Sequence, residues 1–216
     1  MRPTILHEFD EKRSGEGLMF LFISGGVRSG KSEWAERAAL ALSPDVPRVY
    51  LATARVSDED MRRRVERHRR ARSGRGFLTV ERKRDLTGVL HSIPRGALVL
   101  LECLPNWAAN EMFLEDGSVR GAHEVRGEVL RSTLALKDRV RDLIVVSDDI
   151  FSDGVRYDAA VEGYIRLLGE LHVLLAARAD AAVECAFGIA RFWKGDASRI
   201  FDGYGMKPAP DEHNPR

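Results

Sequence analysis

Cysteine is nearly absent from this sequence, long apolar runs are absent altogether, and neither sign of charge is in excess. Cys103 and Cys185 are its 2 thiols. They are too few for a disulfide framework and lie inside apolar runs, which points to buried thiols in a reducing compartment. No window approaches the roughly 18 apolar residues of a membrane span. Charges near the N-terminus stand where a signal peptide would carry its apolar region, so the expected location is the cytoplasm. The 34 Lys and Arg against 33 Asp and Glu leave a formal net charge of +1. That total gives no reason to expect nucleic acid or another polyanion as partner. No Cys/His spacing suggests a structural metal, and no internal repeat is found.

What is present fits one α/β domain, since 216 residues are enough to bury a full core. Residues 1–17 mix charge, Gly and Pro and read as an N-terminal extension, with Met19 as an alternative start. Residues 18–194 read as a single folded domain. Residues 195–216, poor in core-forming pattern, read as a mobile or docked C-terminal tail.

Between those ends short apolar runs alternate with longer amphipathic ones. "LMFLFIS" (Leu18 to Ser24), "RVYLATA" (Arg48 to Ala54), "ALVLLE" (Ala97 to Glu102), "DLIVVS" (Asp142 to Ser147) and "AAVECAF" (Ala181 to Phe187) are expected strands buried on both faces. "FLTVE" (Phe77 to Glu81) adds a further candidate. Helices are expected at Lys31 to Leu42, Ser57 to Arg72, Cys103 to Leu114, Ala122 to Val140 and Asp158 to Ala179. In the last, Val161, Ile165, Leu168, Leu171 and Leu175 form a core stripe. Such alternation implies an α/β fold with a doubly wound, mostly parallel sheet and helices on both faces, and the glycine-rich motif at Gly25 to Ser32 makes it P-loop NTPase-like.

Gly25, Gly26, Val27, Arg28, Ser29, Gly30, Lys31 and Ser32 match G-x-x-x-x-G-K-S, after a buried strand and before a helix. The glycines let backbone N–H groups turn inward, and the helix N-terminus adds a positive dipole end. The expected ligand is a nucleoside triphosphate, ATP or GTP, with Lys31 reaching its β- and γ-phosphates and Ser32 holding Mg²⁺. A second, acidic metal-ordering residue belongs at a neighbouring strand end, where Glu102 is best placed and Asp148 and Asp149 compete.

"SDEDMRRRVERHRRARSGR" begins with a helix cap at Ser57 and acids at Asp58, Glu59 and Asp60. Arg64 and His68 then share one face, and Arg72 continues it. Nearby positive charge would keep the imidazole neutral and nucleophilic while the arginines hold a triphosphate. The pattern by itself favours the plainer reading, a solvated basic helix or a phosphate-backbone patch with an incidental histidine.

"GGVRSGKSEWAE", "YLATARVSDEDMRRRVERHRRAR" followed by "LTVE", and "LVLLECL" occur in that order. Together they resemble the bifunctional adenosylcobinamide kinase / adenosylcobinamide-phosphate guanylyltransferase family of cobalamin biosynthesis. Asp60, Met61, Arg64, Val65, His68 and Arg72 fill the family's pattern in the middle stretch, and Arg28 matches the arginine of its glycine-rich loop. The resemblance implies transfer of a γ-phosphate to the aminopropanol hydroxyl of adenosylcobinamide. GMP transfer from GTP to that phosphate would follow, through a covalent adduct on His68. It also implies a homo-oligomer. In this setting His68, Lys31 and Glu102 are the catalytic candidates, Arg64 and Arg72 join the loop in nucleotide binding, and Ser32 and Glu102 take the metal.

The second half departs from the family pattern. "DDIFSDGVRYD" stands where the family has Asn-Glu-Val-Gly and Gly-Ile-Val-Pro, with Asp149-Ile150 in place of Glu-Val. His172-Val173 replaces Asn-Gln, whereas Gly188-Ile189 is retained. A P-loop small-molecule kinase or NTPase without the corrinoid step, and a nucleotide-binding regulatory or RNA-associated protein, therefore stand as alternatives. His7, His91, His123, His172 and His213 are read as structural or surface residues.

Overall fold

The computed structural model describes residues 19–42, 45–55, 74–151 and 154–195, together with Glu59, Arg62, Arg63, Glu66 and Arg70. The expected N-terminal extension and nearly all of the C-terminal tail lie outside the described residues.

Among the described residues seven strands form one sheet: β1 (Met19–Gly25), β2 (Arg48–Ala52), β3 (Phe77–Glu81), β4 (Leu98–Glu102), β5 (Asp142–Asp148), β6 (Ala181–Ala186) and β7 (Ile189–Lys194). Their order is β3-β2-β4-β5-β1-β6-β7, and only the β6–β7 pair among them is antiparallel. The described helices are α1 (Lys31–Leu42), α2 (Leu104–Met112), α3 (Ala122–Arg139) and α4 (Ala159–Arg178). A 3-10 segment spans Leu86–Ser92. The α/β fold expected from the sequence is the one observed.

Strand alternation divides the core in two. Phe20 and Phe22 of β1, Val99 and Leu101 of β4, and Leu143 and Val145 of β5 face α2, α3 and α4. Leu21, Ile23, Leu98, Leu100, Ile144 and Val146 face α1. Because each central strand is apolar on both sides, it can be buried only between helical layers. Three alanines in α1, Ala35, Ala38 and Ala39, are fully buried and let that helix lie close on the sheet. In α4 the cap is a side chain: Asp158 Oδ1 accepts from the amides of Ala160 at 3.0 Å and Val161 at 2.9 Å.

Three local expectations change. The residues Thr53 and Ala54 leave β2, because the Thr53 hydroxyl instead pairs with the backbone of Cys103, donating to its carbonyl and accepting from its amide. Phe187 leaves β6 and enters a turn. Beyond that turn lies β7, a strand not anticipated from the sequence, whose Phe192 meets Trp34 of α1 edge-on at 5.9 Å.

The bundle end of α2 is fixed by a buried carboxylate. Glu111 accepts from Arg120 Nη1 at 2.9 Å, the Asp85 amide at 2.7 Å and Trp107 Nε1 at 3.3 Å. Desolvating a carboxylate this deeply is tolerable because each oxygen is occupied. One side chain thereby ties the segment after β3 and the segment before α3 to α2.

Candidate active site

β1 delivers the chain to the carboxyl edge of the sheet, where residues 25–30 turn into α1. Gly25 is required by space, since a Cβ there would lie 2.4 Å from the Cys185 carbonyl oxygen. Gly30 is required by conformation, with φ at 92°. Arg28 also takes a left-handed conformation. Gly26, Val27 and Arg28 are exposed, while Ser29 is buried and its hydroxyl has no hydrogen-bond partner among the described residues. A loop of this form points backbone donors at an anion at the start of a helix.

Lys31 folds back over that loop. Its Nζ donates to the Gly26 carbonyl at 3.0 Å and pairs with Asp148 Oδ1 at 2.5 Å. Asp148 can reach it because β5 lies directly beside β1, with Gly25 and Asp148 in register. Asp148, a candidate for metal ordering in the sequence, is thus the lysine's partner. Asp149 is held beside the loop by its amide, which donates to the Gly25 carbonyl at 2.9 Å.

Ser32 and Glu102 are brought together, with the Ser32 hydroxyl donating to Oε1 at 2.5 Å. The other oxygen, Oε2, accepts from the Tyr50 hydroxyl at 3.1 Å. Tyr50 was not singled out in the sequence, yet β2 neighbours β4 and sends it across. A hydroxyl and a carboxylate in contact at the start of a phosphate loop are hard oxygen donors suited to Mg²⁺. Among the described residues no group of three or more His, Cys, Asp or Glu is placed to hold a metal ion by itself. An ion held chiefly by phosphate oxygens and water does not need one.

His68, Arg64 and Arg72 lie outside the described residues. Glu59, Arg62, Arg63, Glu66 and Arg70 of the same stretch are helical and the arginines pair with the glutamates. Just past it, Arg75 Nη1 meets the buried Glu36 of α1 at 2.5 Å.

His172 was expected to be structural, and it occupies a half-buried niche behind the site. Its Nε2 lies 2.6 Å from the Ser147 hydroxyl, and its ring stands edge-on to Phe22 and Phe151. Burial pulls its pKa down to about 4, against the opposing pull of Asp149 and Asp148. Cys103 and Cys185 are buried and form no disulfide, and burial raises the Cys185 thiol to about 11. No helix among the described residues is long and apolar enough to cross a membrane.

Comparison with known proteins adds relatives to this geometry. The bifunctional adenosylcobalamin biosynthesis protein CobP of Pseudomonas aeruginosa is 30% identical over 175 residues, covering 81% of this chain and 96% of that protein. CobU of Escherichia coli K12 is 39% identical over 97 residues, 44% of this chain and 51% of that protein. CobU of Salmonella typhimurium is 35% identical over 101 residues, 46% and 53% respectively. Solved structures include a KaiC-like protein of Pyrococcus horikoshii, 15% identical with a TM-score of 0.42 over 78% of this chain and 71% of that one. The flagellar accessory protein FlaH of Methanocaldococcus jannaschii is 14% identical with a TM-score of 0.44 over 85% and 81%. Residues 21–192 match the family described as cobinamide kinase / cobinamide phosphate guanyltransferase, and the chain belongs to that family.

Proposed function

We propose that this protein is a transferase of cobalamin biosynthesis that phosphorylates adenosylcobinamide and then joins GMP from GTP to the phosphate so formed. The observation that carries the reading is the convergence of Lys31 and of the Ser32–Glu102 pair at the phosphate loop of a chain in this family. Phosphoryl transfer asks a protein mainly for positioning and charge neutralisation. Loop amides and the α1 dipole receive the triphosphate, while Lys31 neutralises its β- and γ-phosphates. Ser32 and Glu102 would hold Mg²⁺, which when bound offsets charge on the phosphate oxygens. The acceptor in the first reaction is the aminopropanol hydroxyl of adenosylcobinamide.

In the second reaction His68 attacks the α-phosphate of GTP, pyrophosphate leaves, and the GMP passes from the histidine to adenosylcobinamide phosphate. Arg64 and Arg72 hold the triphosphate for that attack. The contact of Arg75 with Glu36 supports this arrangement, because it carries the chain that follows the basic helix onto α1. Residues 18–194 form the catalytic domain, flanked by an extension at 1–17 and a tail at 195–216. The two buried cysteines, which form no disulfide, suit the cytoplasm, and the family resemblance supports a homo-oligomer.

The divergent stretch after β5 favours one competing reading, a P-loop small-molecule kinase or NTPase without the corrinoid step, because Asp149 stands directly against the loop. A transfer assay decides between them. With γ-labelled ATP or GTP and adenosylcobinamide, the proposal expects label in the corrinoid, abolished by Lys31→Ala. Unlabelled cobinamide alongside intact triphosphate use would contradict it.

A further inference from the structure

The two-residue turn between β6 and β7 is fastened to the phosphate loop. The Gly188 amide donates to the Ser29 carbonyl at 2.9 Å, and a Cβ on Gly30 would meet Gly188 Cα at 3.3 Å. Both turn residues have positive φ, 53° at Phe187 and 80° at Gly188. That is the mirror-image hairpin turn, whose first place ordinarily goes to Asn, Asp or Gly. An aromatic residue there is strained. Burial does not offset the strain, since Phe187 is 98% exposed, and Val27 and Ile189 are 65% and 57% exposed. A bare aromatic ring therefore stands on a rigid turn beside the loop.

Strand order decides what reaches that ring. Asp148 and Glu102 end β5 and β4, both on one side of β1, while β6 and β7 lie on the other. The reacting phosphates of a bound nucleotide face the acidic side, where Lys31, Ser32 and Glu102 meet. Its nucleoside end must leave in the opposite direction, toward the Phe187–Gly188 turn.

We propose that Phe187 is the platform on which the base of the bound nucleoside triphosphate stacks. This rests on the reading of Gly25 to Ser32 as a triphosphate site. Stacking uses the π-face common to every base, so one ring serves adenine and guanine alike. It suits an enzyme that draws on both ATP and GTP.

The test measures equilibrium binding of non-hydrolysable ATP and GTP analogues, and of inorganic tripolyphosphate, all with Mg²⁺. Phe187→Asn is the informative variant, because asparagine suits the turn and preserves the fold. Nucleotide affinity should fall by about tenfold or more, tripolyphosphate affinity should hold, and thermal stability should hold or rise. Phe187→Trp should restore the nucleotide affinity. Unchanged nucleotide affinity in Phe187→Asn would overturn the proposal, as would an equal loss for tripolyphosphate. A changed molar mass by light scattering with unchanged nucleotide affinity would instead assign Phe187 to a subunit contact. The triphosphate reading fails separately, if wild-type protein binds none of the three or if Lys31→Ala binds them as well as wild type.

Discussion

The hydroxyl of Ser32, in the first turn of α1, donates to the carboxylate of Glu102, the last residue of β4, at 2.5 Å. A charge-assisted O–H···O⁻ bond of this length couples the phosphate-binding helix to a strand two places away in the sheet. It places two oxygen donors where the terminal phosphates of a triphosphate would lie. Glu102→Gln keeps the shape and an acceptor for Ser32 but removes the charge. Turnover should fall by about a hundredfold or more, with nucleotide affinity in the absence of Mg²⁺ little changed, measured by steady-state assay beside equilibrium titration.

Lys31 sits across the loop mouth between Gly26 and Asp148. In Lys31→Ala its charge is lost from the phosphate site, so both phosphoryl and guanylyl transfer should drop by at least about a hundredfold. Because the same change leaves Asp148 without its cation, Asp148→Asn is the control. It should retain the lysine and most of the nucleotide affinity, read by titration.

Thr53 holds the end of β4 through a reciprocal pair, donating to the Cys103 carbonyl at 2.7 Å and accepting from the Cys103 amide at 2.8 Å. Thr53→Val removes two hydrogen bonds to the buried Cys103 backbone, whose carbonyl keeps the Trp107 amide at 3.2 Å. A loss of about 1–3 kcal/mol in unfolding free energy is expected from denaturant titration. Turnover should fall too, because Glu102 immediately precedes the tethered residue.

The motif from Gly25 to Ser32 was legible in the sequence because the chemistry, the preceding strand and the following helix agree over a dozen neighbouring residues. Glu102 was legible as a strand-end acid. Tyr50 and Asp148 were harder, since their contacts follow from β2 lying beside β4 and β5 beside β1, which no local pattern encodes. Strand β7 went unread because Phe-Gly is not a usual signal for a hairpin turn and the edge strand is mostly exposed. The environment of His172 is made by Phe22, Ser147 and Phe151 from distant parts of the chain.

His172 predicts a pH dependence of stability. Its folded pKa, lowered to about 4 by burial, lies below its ordinary value of 6.5. Between those values the unfolded chain binds the extra proton, so stability is fully present above 6.5 and declines as pH falls toward 4. His172→Phe removes that component while the carboxylates continue to titrate. Over pH 7 to 5 the wild type should lose more unfolding free energy than the variant, compared by parallel denaturant titrations.

The guanylyl step through His68 is tested most directly by incubating the protein with Mg²⁺ and GTP labelled at the α-phosphate, then adding adenosylcobinamide phosphate. The account predicts an acid-labile protein adduct that forms on wild type, is absent in His68→Ala, and discharges into adenosylcobinamide-GDP. No adduct on wild type, or an adduct that survives His68→Ala, would contradict it.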